Sequence, residues 1–137
     1  MKNPLIIEDI EFIENNIMSI RSKVGFNFQY YIDEWLSDKT KFNFWAFFLA
    51  PFWLGAKGMF EYVFLYCILT NLFVNRIPSL HLILIVLLPI YFGFKGDILY
   101  FKKIKSEISN STGFSVNGLL GICLVIAIQI GTYYLIA

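Results

Sequence analysis

The stretch Phe42-Asn43-Phe44-Trp45-Ala46-Phe47-Phe48-Leu49-Ala50-Pro51-Phe52-Trp53-Leu54-Gly55-Ala56 packs seven aromatic rings and a proline into fifteen residues. A helix perpendicular to a bilayer needs about 20 apolar residues to cross it, so this run is too short to cross alone. Pro51 divides it, because its ring clashes with the carbonyl four residues back and pushes Ala50 toward an extended conformation. Trp45 and Trp53 favour the headgroup level, and Lys39, Lys41 and Lys57 flank the run with the same charge on both sides. The expectation is an interfacial or shallow re-entrant piece over residues 42–50, with Pro51 starting the next helix. Phe42, Trp45, Pro51, Trp53 and Lys57 make up this membrane-interface motif.

Downstream the chain is almost wholly apolar. A first crossing is predicted over about residues 51–74, running through Gly55 and Gly58, with Lys57 snorkelling back to the headgroups. A turn at Asn75-Arg76-Ile77-Pro78-Ser79 leads into a return span over 78–94, which Pro89 is expected to kink. Residues 95–108 read as a separate basic helix on the cytoplasmic side, and Ser109–Gly113 as a polar loop. Residues 116–137 then form 22 residues without one charge, the clearest span in the chain.

Upstream, residues 1–41 read as cytoplasmic amphipathic helices. Ile6, Ile10, Ile13, Ile17, Ile20 and Val24 recur at spacings of four and three, the seam of one helix that Gly25 ends. That seam fits a helix lying on its own protein, an intermolecular contact, or a membrane-surface helix. Its acidic polar face counts against the last. A second short helix is predicted over Asn27–Asp38, with Phe28, Ile32, Trp35 and Leu36 on one side and Asp33, Glu34 and Asp38 on the other.

The composition agrees with a bilayer protein: 58% hydrophobic and 15% charged residues are too apolar for a soluble domain of 137 residues. A net charge of +1 argues against a nucleic-acid partner. Seven of the ten acids fall in the first 41 residues, so the two parts of the chain occupy different solvents. The first twenty residues are acidic and amphipathic, unlike a signal peptide, so membrane entry is expected through the later spans. Cys67 and Cys123 lie in apolar runs far apart and read as buried structural thiols.

With residues 42–56 at the interface, Lys39, Lys41, Lys57, Lys95, Lys102, Lys103 and Lys105 share one side and only Arg76 lies opposite. The positive-inside rule then places the amino terminus in the cytoplasm and the carboxyl terminus outside. A full crossing by 42–56 would move Lys39 and Lys41 out and weaken that bias. The fold expected is an all-α membrane protein with amphipathic N-terminal helices, an interfacial or re-entrant aromatic segment and three transmembrane helices.

The run Phe42-Asn43-Phe44-Trp45-Ala46-Phe47-Phe48, with Pro51-Phe52-Trp53, Lys57-x-Met59 and the later Gly96-x-x-x-Tyr100, resembles an uncharacterised bacterial family of small integral membrane proteins, domain-of-unknown-function family 2628. The resemblance covers roughly Lys41 to Ile104. The chain departs from the family pattern at Ala50, where Gly is frequent, at Gly55-Ala56-Lys57-Gly58, where a bulkier basic run is usual, and at Asp97, where Asn is usual. The resemblance implies a membrane location and no known activity, and supplies no catalytic residues.

No catalytic constellation emerges. His81, the single histidine, has no nucleophile or orienting acid beside it in sequence, and no metal-binding or phosphate-binding motif is present. Neither a cofactor nor an enzymatic activity is expected. The polar residues placed in or near apolar segments are Glu61, Asn71, Asp97 and Gln129. Glu61 and Asp97 read as salt-bridge partners of nearby lysines. Gly118, Gly121, Val125, Gln129 and Thr132 share one side of the last helix at 100° per residue, a small, polar packing stripe or a transport-lining face. The function expected is an accessory or interaction subunit of the bacterial inner membrane; the alternative is a homo-oligomeric channel or small transporter lined by Gln129, Glu61 and Asn71. Candidate partners are the lipid bilayer, a membrane or cytoplasmic protein, and further copies of the chain.

Overall fold

A computed structural model describes residues 5–74, 76–111 and 118–136. Every regular element among them is helical: α1 (Ile7–Asn15), α2 (Ile17–Val24), a 3₁₀ turn (Gly25–Asn27), α3 (Phe28–Trp35), α4 (Phe44–Phe48), α5 (Ala50–Ala56), α6 (Phe60–Val74), α7 (Pro78–Ser109) and α8 (Gly118–Ile136). Two of them, α7 and α8, are long and apolar enough to cross a membrane; α6 is apolar but spans only 15 residues. The chain divides into two compact units. One holds residues 1–42 and 94–115, the other 43–93 and 116–137, so α7 contributes its second half to the former and its first half to the latter.

In the unit built from the amino-terminal helices, the single helix expected over Ile6–Val24 is broken at Asn16. Its amide and backbone N–H both donate to the Phe12 carbonyl, which closes α1 and starts a new helix at Ile17. Asn16 itself leaves helical geometry, at φ −119 and ψ 20, and its side chain makes the local backbone bond that favours such a helix end. Gly25, at φ 71, ends α2. Ile13 and Ile20 are fully buried, whereas Ile6, Ile10 and Ile17 are exposed and Val24 is half-buried.

On α3 the expected apolar side is rotated. Tyr31, Ile32 and Trp35 are buried, but Leu36 is exposed and Glu34, placed on the polar side by the sequence, is 2% exposed. The second half of α7 supplies the facing surface. Trp35 stacks edge-on against Phe101 at 5.2 Å, Tyr31 against Tyr100 at 4.9 Å, and the Trp35 indole N–H donates to the Asp97 carbonyl at 2.9 Å. Each buried aromatic of this size contributes about 1.5–3 kcal/mol through burial, with about 0.5–1.5 kcal/mol more for ring geometry. Ion pairs Lys105–Asp9 and Lys23–Glu107 fix the register of α1 and α2 on that half of α7.

The other unit contains the aromatic stretch. Asn43 caps α4, its side chain accepting the Ala46 N–H at 2.8 Å. The helix breaks at Leu49, one residue before the expected position; Ala50, expected to be extended, is the first residue of α5, and Pro51 sits in that helix's first turn, where its missing N–H costs nothing. The Asn43 N–H donates to the Gly93 carbonyl, and Tyr62 in the first turn of α6 meets Phe92 edge-on at 6.3 Å. The segment between them therefore leaves and returns at the level of Phe92–Gly93.

Residues 51–74, expected as one crossing, form two helices. Gly58, at φ 67, lies just past the end of α5; its N–H donates to the Gly55 carbonyl and the Met59 N–H to the Leu54 carbonyl. These are the two bonds of a Schellman cap, and they satisfy carbonyls that a continuous helix would have used. Downstream, the predicted 78–94 span and 95–108 basic helix are one 32-residue helix that continues through Pro89. Asn75, residues 112–117 and Ala137, which include parts of the expected turn, polar loop and last span, lie outside the described residues.

Candidate functional site

The helices α6, the first half of α7, and α8 pack with alternating direction. Thr70 pairs with His81 while Tyr62 meets Phe92, so α6 and α7 are antiparallel; Gly121 lies on Gly55 and Ala56, ahead of α6, while Gln129 and Thr132 meet Asn71 near its end, so α8 runs parallel to α6. At one end of α8, Gly121 packs directly on the backbone of Gly55 and Ala56 in α5, and Gly55 on Val125. Small residues let two backbones approach to this distance, which places α5 against α8 without a side chain between them.

Further along α8 the contact is polar. The Asn71 amide donates to the Thr132 hydroxyl at 2.7 Å, and the Gln129 amide donates to the Asn71 carbonyl oxygen at 3.1 Å. Thr132 donates back to the Ile128 carbonyl at 2.8 Å. Asn71 and Thr132 are buried and Gln129 is half-buried. Gly121 and Val125 are buried and Gly118 is half-buried, so the stripe along α8 faces α5 and α6 of its own chain.

His81, in the first turn of α7, completes the cluster. Its Nδ1 lies 2.8 Å from the Thr70 carbonyl. A carbonyl only accepts, so Nδ1 carries the proton, and in the neutral ring Nε2 is the acceptor. The Thr70 hydroxyl is engaged with the carbonyls of Tyr66 and Cys67 in its own helix. Between α5, α6, α7 and α8 lies an open-sided cavity of about 620 Å³, lined mostly by apolar side chains with Thr70, Asn71, His81 and Gln129 among its polar lining.

The remaining residues singled out by sequence lie elsewhere. Glu61 is exposed in the first turn of α6, where a negative charge suits the helix dipole. Asp97, expected outside the span as a lysine partner, is 6% exposed on α7 and accepts the Tyr30 hydroxyl at 3.2 Å. Burial, and then the Asp97 carboxylate, hold the Tyr30 phenol well above its ordinary pKa; burial, and then Glu107, do the same for Tyr100. In the aromatic motif Trp45 is 71% exposed and Pro51 half-buried, while Trp53, assigned to the headgroup level by sequence, is 8% exposed against its own unit. Phe42 meets Phe94 edge-on at 4.9 Å and Lys57 ends α5. Cys67 is buried, but Cys123 is exposed on α8, contrary to the reading of both as buried. Periodicity along one helix carries no information about the orientation of that helix toward its neighbours.

Sequence reasoning missed the His81–Thr70 bond and the role of Gly55. For Gly55 a signal existed, since Gly55-Ala56 is a pair of small residues in an otherwise bulky aromatic run. Among the described residues no group of three or more His, Cys, Asp or Glu side chains could hold a metal ion. Comparison with protein-family models gives no match, and comparison with curated proteins and with solved structures gives none either.

Proposed function

We propose that the chain is a small multi-pass protein of the bacterial inner membrane, related to the uncharacterised family its aromatic motif resembles, and that it acts as an accessory or interaction subunit through its amino-terminal helices. Membrane residence is supported by the apolar windows of α7 and α8, of which only 28% and 17% are buried within the chain. A core helix of a soluble protein is buried on most sides, whereas these present Leu82, Val86, Leu119 and Leu135 outward. The alternating directions of α6, α7 and α8 support three successive crossings, with residues 43–59 as a re-entrant segment that starts beside Gly93 and ends where Tyr62 meets Phe92.

The observation that carries the interaction reading is that α1 and α2 bury Ile13 and Ile20 but leave Ile7 and Met18 75% and 74% exposed, with Ile6, Ile17 and Phe26 also open. An apolar surface of this kind outside the membrane segments suits a protein partner. The alternative channel reading loses support because Asn71 and Gln129 bond to each other within one chain.

The test is the pair Ile7→Glu and Met18→Glu, which leaves Ile13 and Ile20 in place. Gentle extraction of the wild-type protein should recover a stoichiometric partner that the double variant loses at unchanged thermal stability. Recovery of the same partner by the variant, or of the chain alone by the wild type, would reject the reading.

A further inference from the structure

We propose that the cavity between α5, α6, α7 and α8 is a binding site for an uncharged, lipid-soluble molecule carrying a hydroxyl group. Its volume of about 620 Å³ lies in the range of small-ligand sites, roughly 300–1,000 Å³. Its walls are mainly apolar, from residues such as Phe52, Ile85, Val125 and Ile130. No Lys, Arg, Asp or Glu is among the described residues that line it. A phosphate or carboxylate head would meet no charge partner there, and placing it unpaired against these apolar walls is costly.

The polar lining selects for a hydroxyl. The Thr70 hydroxyl is turned back onto its own helix, and the Asn71 amide donates to Thr132 and to the Gln129 carbonyl. His81 holds its proton on Nδ1, toward Thr70, so the acceptor left to the cavity wall is Nε2. Gln129 donates through Nε2 to Asn71, leaving its own side-chain oxygen as a second acceptor. A neutral donor that is itself compact meets this pair. A hydroxyl supplies one proton to Nε2 or to the Gln129 oxygen and can accept in return from the Tyr66 or Tyr133 hydroxyl, both of which line the same space. An ordinary acyl chain fills the volume but satisfies none of these groups.

The proposal is independent of the partner reading for α1 and α2. Its probe is a 16-carbon primary alcohol bearing a mid-chain diazirine, photolysed with the full chain in phosphatidylethanolamine and phosphatidylglycerol vesicles. Labelling should map to peptides from α6, α7 and α8 that line the cavity, and the methyl ether of the same probe should label about fivefold less, the loss of one net hydrogen bond. His81→Phe should reduce labelling by the alcohol to the level of the ether, and Ile85→Trp, which fills the volume without touching a polar group, should suppress both. Competition by dioctanoylglycerol points to an aliphatic lipid alcohol, and competition by dodecylphenol to a phenolic head; either outcome supports the site. Equal labelling by alcohol and ether, labelling spread over the outward face of α8 near Leu135, or competition by neither compound would overturn it. Should His81→Phe fail to fold, the ether comparison on the wild-type chain decides alone.

Discussion

Gly55 and Gly121 meet backbone to backbone: a β-carbon on Gly55 would lie 2.8 Å from the Gly121 carbonyl oxygen and collide with Val125, while one on Gly121 would collide with the Gly55 carbonyl. The neighbouring atoms are mostly main chain, which cannot rotate away. Gly55→Ala and Gly121→Ala should therefore destabilise the protein by at least about 1–3 kcal/mol each, the usual cost of overpacking. Gly131→Ala meets nothing within 4 Å and should be neutral or raise stability by up to about 1 kcal/mol. Thermal unfolding in detergent, followed by circular dichroism, separates the three.

The Asn71–Gln129 hydrogen bond joins α6 to α8 across 58 residues of sequence. A double-mutant cycle with Asn71→Leu and Gln129→Leu should return a coupling of about 0.6 kcal/mol and no more than about 1.7, the range measured for polar contacts between membrane helices. Additive effects in an unfolding titration would show that the two side chains act separately.

Trp35 donates to the Asp97 carbonyl from a position 1% exposed. Trp35→Phe removes that bond and part of the ring contact with Phe101, and should lower stability by roughly 1–3 kcal/mol. Asp33→Ala, on the exposed side of the same helix, should change it by no more than about 0.5 kcal/mol.

The raised phenols of Tyr30 and Tyr100 give an alkaline limit. In the folded chain both keep their protons above the ordinary value of 10.0, while in the unfolded chain they ionise there. Their contribution is fully present below pH 10 and is lost as pH rises from 10 toward the folded values. Tyr100 should dominate, because Tyr30 is 45% exposed and solvent screens its interactions. The melting temperature should fall steeply above about pH 10, and Tyr100→Phe should flatten that fall.

Under the proposed re-entrant path for residues 43–59, Asp38 lies on the cytoplasmic side. With Cys67 and Cys123 replaced by Ala, a cysteine at position 38 should react with an impermeant maleimide in inverted vesicles and not in intact cells. The opposite pattern would make the aromatic stretch a full crossing.

The chain's apolar composition, the long uncharged run ending in α8, the helix break beside Pro51 and the polar identities of Asn71 and Gln129 are all legible in residue order, because hydropathy and proline geometry act locally. The end of α5 was also written locally, in Gly58 as a C-terminal cap, but a continuous apolar run conceals such a stop: hydropathy cannot distinguish one helix from two. Other features were decided by contact alone. Glu34 is buried and Leu36 exposed because α3 faces the second half of α7, and Ile13 is covered while Ile7 is open because only part of the seam finds a surface. Gly55 became a contact residue only when α5 came to rest on Gly121, sixty-six residues away. Periodicity defines the faces of a helix, and packing selects which of them is covered.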